Sequence, residues 1–160
     1  MIARKLTACM LVALLSTAAF AFVSFGTSAD ESSADGYGYY WTDSNAPTPS
    51  VAYNWIEVVG TGSSAGFWYD DSNYVGPVSM GFDFTFYGNT YNSVYISTDG
   101  YIQFGTGSYS GSHYTIPSTS GPENIIAPFW SDLVVYYPSY NYGQVYYDPI
   151  GVSPHQQFVV

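Results

Sequence analysis

Twelve residues, Val94–Gly105 (Val-Tyr-Ile-Ser-Thr-Asp-Gly-Tyr-Ile-Gln-Phe-Gly), constrain the fold of this chain most. Two alternating runs meet at Asp99-Gly100, a dipeptide suited to a type I′ turn because that turn needs positive φ at both central residues. With the turn there, Val94, Ile96, Ile102 and Phe104 share one face of a hairpin, and Tyr95, Ser97, Tyr101 and Gln103 the other. The expectation is an antiparallel sheet with one buried face and one wet, tyrosine-rich face.

The neighbouring segments extend that sheet. Val78, Met80, Phe82, Phe84 and Phe86 alternate with Ser79, Gly81, Asp83 and Thr85, the pattern of a half-buried strand, and Gly88-Asn89 turns it back towards the hairpin. Val78–Gly105 therefore reads as a three-stranded meander. Tyr53–Val59 reads as an earlier strand closed by Gly60-Thr61-Gly62. After the meander, Thr106–Glu123 is a long Gly/Ser/Thr/Pro loop, and loops of that length are usually functional or mobile. Ile125–Leu133 reads as an edge strand or bulge because Pro128 lies inside it, and Val134–Tyr137 extends it. Gln144–Asp148 and Gln156–Val160 read as further strands, the latter without a turn after it, which suggests a closing strand beyond residue 160. The fold class expected is all-β: an antiparallel β-sandwich of meander and hairpins, with Phe82, Phe84, Phe86, Phe104, Phe129 and Trp130 in its core.

Composition agrees. Of 160 residues, 20% are aromatic, with 18 Tyr, 10 Phe and 4 Trp, and only 9% are charged. Aromatic and β-branched residues suit pleated, half-buried surfaces. The length suffices for one domain with a core.

Residues 1–29 have the layout of a secretory signal: Arg4 and Lys5, then an apolar run from Leu6 to Phe25, then Gly26-Thr27-Ser28-Ala29. Cleavage after Ala29 or after Ala21 fits, and the small residues favour removal over retention as a membrane anchor. Leu6-Thr7-Ala8-Cys9 is not read as a lipobox, because the apolar stretch follows the cysteine. Residues 30–35 form an acidic leader and 36–160 the sandwich. Removing the signal removes both basic residues, taking the net charge from −10 to −12, and removes Cys9, leaving no disulfide. A surface without Lys or Arg cannot neutralise phosphates, which argues against nucleic acid and against anionic membrane surfaces.

Catalytic constellations are sparse. His113 and His155 are the only histidines, His113 in a Gly/Ser loop with no nucleophile-elbow pattern, and Glu57 and Glu123 stand in no glycosidase-like motif. Calcium is the metal the chain could take: Asp43 and Asn45 in one turn, and Asp70, Asp71 and Asn73 in another, offer hard oxygen ligands. The same Asp/Asn clusters also cap turns without an ion. Tyr95, Tyr101, Tyr136, Tyr140 and Tyr142, with Tyr147, are the candidate stacking platforms of a surface-binding face, or simply strand residues.

The hairpin Val94–Gly105 followed by Ile125-Ile-Ala-Pro-Phe-Trp-Ser-Asp132 resembles nidogen-like extracellular domains, which carry a similar S-T-N-G-x-I-x-F-G hairpin and I-A-P-F-W-x-D strand. Residues 36–160 as a whole are similar to a β module of large secreted bacterial and archaeal multidomain proteins. Asp99 stands where Asn is usual, and both residues tolerate positive φ. The resemblance implies a non-catalytic adhesion, matrix or surface-assembly module, extracellular or at the cell surface, with a protein or polysaccharide partner and further domains in the same chain. The alternatives are an accessory domain of a secreted hydrolase (a subtilisin-like protease or glycosidase beyond residue 160) and a glycan-binding module.

Overall fold

The computed structural model describes residues 31–46, 50–67, 73–135 and 143–160. The expected signal at 1–29 lies outside them. Among the described residues there is no helix, and so none long and apolar enough to cross a membrane. The chain divides into two compact units, Met1–Tyr53 and Asn54–Val160.

In the first unit, residues 31–35 are mostly exposed and are hydrogen-bonded to the chain that follows them. Glu31 bridges Thr42, and the Ser32 N–H donates to the Trp41 carbonyl at 3.1 Å. Asp35 forms the turn of this small ribbon: its Oδ1 accepts the N–H groups of Tyr37 at 2.8 Å and Tyr39 at 2.9 Å. A short carboxylate beside a glycine at positive φ (Gly38, 93°) suffices to reverse the chain.

Among its described residues the second unit holds seven strands: β1 (Ser63–Ser64), β2 (Tyr74–Phe86), β3 (Asn89–Ser97), β4 (Ile102–Gln103), β5 (Ile125–Ile126), β6 (Tyr146–Ile150) and β7 (Gln157–Val159). They form two antiparallel sheets, ordered β2-β3-β4-β5 and β1-β6-β7. The all-β, two-sheet expectation holds.

The core lies where the alternation of β2 and β3 places it. Val78, Met80, Phe86, Val94, Ile96 and Phe104 are buried together, with Phe82, Phe84, Tyr91 and Ile102 packed on them. Phe104 is the hub: its ring centroid is 5.0 Å from Tyr91, 5.1 Å from Phe86 and 5.5 Å from Phe84. Aromatic pairs at these separations add about 0.5–1.5 kcal/mol each beyond the area they bury. From the second sheet, Tyr147 of β6 and Phe158 of β7 stack on each other at 5.9 Å and pack against the same cluster. The two sheets thus share one core.

Several local expectations are corrected. The two-residue positive-φ turn is not at Asp99-Gly100 but at Tyr87-Gly88 (φ 46° and 79°), one residue before the dipeptide expected there, with Phe86 paired to Asn89. At the second hairpin the Ser97 N–H donates to the Tyr101 carbonyl at 2.9 Å, so three residues, Thr98-Asp99-Gly100, make the loop. Only Gly100 takes positive φ (80°) there, the glycine position of a three-residue hairpin. A two-residue loop at Asp99-Gly100 would set Ile96 opposite Gln103; the three-residue loop shifts the register by one and sets Ile96 opposite Ile102, and so puts both isoleucines on the apolar face.

Tyr53–Val59 forms no strand. Its residues are mostly exposed, and the Val58 carbonyl instead accepts from Gly62 at 2.8 Å, turning the chain into β1. The expected strand at 125–133 shortens to β5, because Pro128 and Phe129 form a turn. Phe129, expected in the core, is 68% exposed. In β2, four residues, Met80 to Asp83, stand opposite Asn92 alone, a large bulge in which Gly81 takes positive φ (77°).

Candidate functional site

The expected wet face of the hairpin is covered. Gln103 is 4% exposed, Tyr101 2% and Asp99 0%. The cover is the segment between β4 and Leu133, which folds back over β3 and β4 as an apron. Burying this polar face calls for partners for its polar groups, and the apron supplies those of Gln103 and Tyr101 and one for an Asp99 carboxylate oxygen.

Gln103 makes the central bridge. Its Oε1 accepts from the Ser108 hydroxyl at 2.7 Å, and its Nε2 donates to the Glu123 carbonyl at 2.9 Å. One buried side chain therefore ties the start of the apron to its end. The Tyr101 hydroxyl donates to the Ser108 carbonyl at 2.8 Å. Asp99 Oδ2 accepts the Ser110 N–H at 2.9 Å, and the Asp99 carbonyl accepts the Ser131 N–H at 3.1 Å. The Trp130 indole N–H donates to the Ser110 carbonyl at 2.6 Å while its ring lies 5.5 Å from Tyr101 and 6.1 Å from Tyr114.

Behind the hairpin tip, the Asn73 carbonyl accepts from both the Thr98 N–H (2.9 Å) and the Thr98 hydroxyl (3.0 Å), and Asn73 N–H returns a bond to that hydroxyl (3.0 Å). Gly100 is needed here twice over. Its φ is positive, and a Cβ would overlap the Phe129 carbonyl.

Between the two arms of the apron runs an open groove of about 430 Å³, lined by Gln103, Ser108, Tyr109, Ser110, Gly121 and Glu123 among others. Tyr109 is 56% exposed on its rim. Hydroxyls, a carboxylate and one aromatic face make a surface suited to hydrogen bonding and ring stacking.

The residues singled out from sequence fare unequally. Tyr101 is a buried brace and cannot serve as a stacking platform. Tyr95 is half-buried, 5.9 Å from Tyr74 with Gly107 against both rings, and Tyr147 packs on the core. Tyr136, Tyr140 and Tyr142 lie outside the described residues, as do Asp70 and Asp71. Asp43 Oδ1 accepts the Asn45 N–H at 2.7 Å and its carbonyl accepts from Ala46, so this pair caps its own turn. Asn73 acts through its backbone, as described, and its Oδ1 accepts the Tyr74 N–H at 2.8 Å. Among the described residues no three His, Cys, Asp or Glu side chains gather as a metal-holding group. His113 and His155 are exposed on separate loops.

Glu57 carries the resolved titration feature. Its carboxyl is held below the usual carboxylate value, first by the Val59 N–H (2.7 Å) and then by the Trp55 indole N–H (3.4 Å).

The groove residues Gln103, Ser108, Tyr109 and Glu123 were not selected from sequence as a group. The available signal was the length of Thr106–Glu123, directly after the strand that carries Gln103.

No curated protein and no solved structure matches the chain. A family model described as NIDO related matches residues 46–160, a span holding both sheets, the hairpin and the apron. With the hairpin and the Ile-Ala-Pro-Phe-Trp-Ser-Asp segment folded against each other within that span, the chain belongs to the NIDO-related family.

Proposed function

We propose that the chain is a non-catalytic extracellular module that mediates adhesion or surface assembly. The family is of an extracellular kind, and the N-terminal sequence has the layout of a secretion signal. The observation that carries the reading is the fate of the polar side chains at the hairpin tip. Asp99, Gln103 and Ser108 are engaged in holding the apron down, each with a backbone or side-chain partner. Groups used as braces support a rigid display surface better than a reacting centre, where a nucleophile and base would face each other. The surface so displayed is acidic and aromatic, suited to a protein or polysaccharide partner.

Beads coated with the full chain and passed over the cells that produce it test the reading. Retention well above uncoated beads is expected, and retention at the uncoated level overturns it. Hydrolysis of peptide or glycosidic substrates by the purified chain would also overturn it.

A further inference from the structure

We infer that the groove between the two arms of the apron is a binding site for an uncharged polysaccharide chain. The inference rests on the reading of the domain as an extracellular binding module and adds a site and a ligand class to it.

The first ground is preorganisation. The groove is braced at two places. Gln103 joins Ser108 on one wall to the Glu123 carbonyl on the other. Trp130, from the far end of the apron, holds Ser110 on the first wall through its indole N–H, and its ring lies near Gly121 on the second, where a Cβ would sit 3.4 Å from it. Walls held apart at a set width lose little freedom when a ligand enters, which is how a shallow site gains affinity. Gln103 belongs to β4, so its two bonds pin both walls to the same strand and fix their spacing.

The second ground is chemistry. The lining combines the carboxylate of Glu123 and the exposed ring of Tyr109 with the hydroxyls of Ser108 and Ser110, which donate to Gln103 Oε1 and the Ser112 carbonyl and so serve a ligand only as acceptors. A pyranose offers an apolar C–H face for the ring and vicinal hydroxyls that donate to a carboxylate, a charge-assisted bond stronger than a neutral one. From residue 31 onward the sequence holds no Lys or Arg. A uronate or sulfated chain would meet carboxylates with nothing to neutralise it, so the ligand is uncharged. The groove is open to solvent and not an enclosed cavity, so it can admit a segment of a longer chain.

Affinity electrophoresis of the full chain tests this, in gels containing hydroxyethyl cellulose, galactomannan or, as the acidic counterpart, polygalacturonate. Retardation is expected on at least one neutral polymer and not on polygalacturonate. Tyr109→Ala and Glu123→Gln are each expected to weaken that retardation about tenfold, the scale of one stacked ring or one charge-assisted bond. Tyr37→Ala, an exposed aromatic of the other unit, is expected to leave it unchanged. Both groove side chains are exposed, so a near-ultraviolet circular dichroism spectrum like the parent's is expected for the variants.

No retardation on either neutral polymer overturns the inference. Equal retardation on polygalacturonate overturns the ligand class, and undiminished retardation of both groove variants overturns the location. Adhesive beads with no polysaccharide binding would remove the groove and leave the adhesion reading standing. Polysaccharide binding without bead adhesion would do the reverse.

Discussion

The β2–β3 hairpin and the apron are similar in size and lie in the same unit, yet they are held by different forces. The hairpin places Val78, Met80, Phe86, Val94 and Ile96 on one face around Phe104, and water is excluded by apolar area. The apron has almost no regular structure, and its bonds run from side chain to backbone across separations of up to 20 residues, as from Gln103 to Glu123 and from Trp130 to Ser110. Packing energy is shared among many contacts and tolerates a local error. A polar brace concentrates its effect in one or two bonds, and losing one strands its partner. The first region should fail globally, the second locally.

Phe104→Ala should break that contrast from the packed side. Removing the ring that touches Tyr91, Phe86 and Phe84 is expected to cost about 3–5 kcal/mol, read as a shift of the whole denaturation midpoint with all probes moving together. A loss below about 1 kcal/mol would show that the cluster is not the centre of the core.

Gln103→Leu keeps the volume near constant and removes both bridge bonds. The expected cost is about 1–3 kcal/mol, since the Ser108 hydroxyl and Glu123 carbonyl lose their partner. Hydrogen exchange should quicken in 106–123 and stay slow in β2, β3 and at Phe104. Uniform acceleration across both regions would mean that the apron and the hairpin are one cooperative unit.

Trp130→Phe keeps an aromatic ring beside Tyr101 and Tyr114 but deletes the bond to the Ser110 carbonyl. About 1 kcal/mol is expected, with faster exchange near Ser110 as the readout.

The smallest effect is expected outside both regions, at Glu57. Its carboxyl is depressed by the Val59 N–H and the Trp55 indole, so the charged form is favoured in the fold. The stability this contributes is present above the ordinary carboxylate value and is lost as pH falls through the lower folded value. A carbon-detected titration of the Glu57 carboxyl checks it: a midpoint at or above the ordinary value would contradict the bonds described.

The same contrast explains what could be read in advance. The alternation Val78-Met80-Phe82-Phe84-Phe86 names one face at every second residue, and the buried cluster follows it. The alternation on each side of the turn marks Ile96 and Ile102 as apolar, and they share a face because the loop has three residues, with Ser97 opposite Tyr101; the two-residue turn expected there would have set Ile96 opposite Gln103. The burial of Tyr101 and Gln103 was not legible. Polar residues on a strand signal water unless something distant covers them, and the cover arrives from Ser108, Glu123 and Trp130. Phe129 erred in the opposite direction: an apolar residue in an apolar run, turned outward by the bend at Pro128.

By itself, the amino-acid sequence determined the fold class, the strands of the meander, the inward face of each and the family motifs, since all depend on period-two patterning and short turns within about 30 residues. The tertiary structure decided which turn carries the positive-φ pair, which side of β4 is dry, and that a groove exists between two loop arms. Those outcomes depend on contacts between residues far apart in the chain, whose closure entropy is offset only once the hairpin core is formed to dock against.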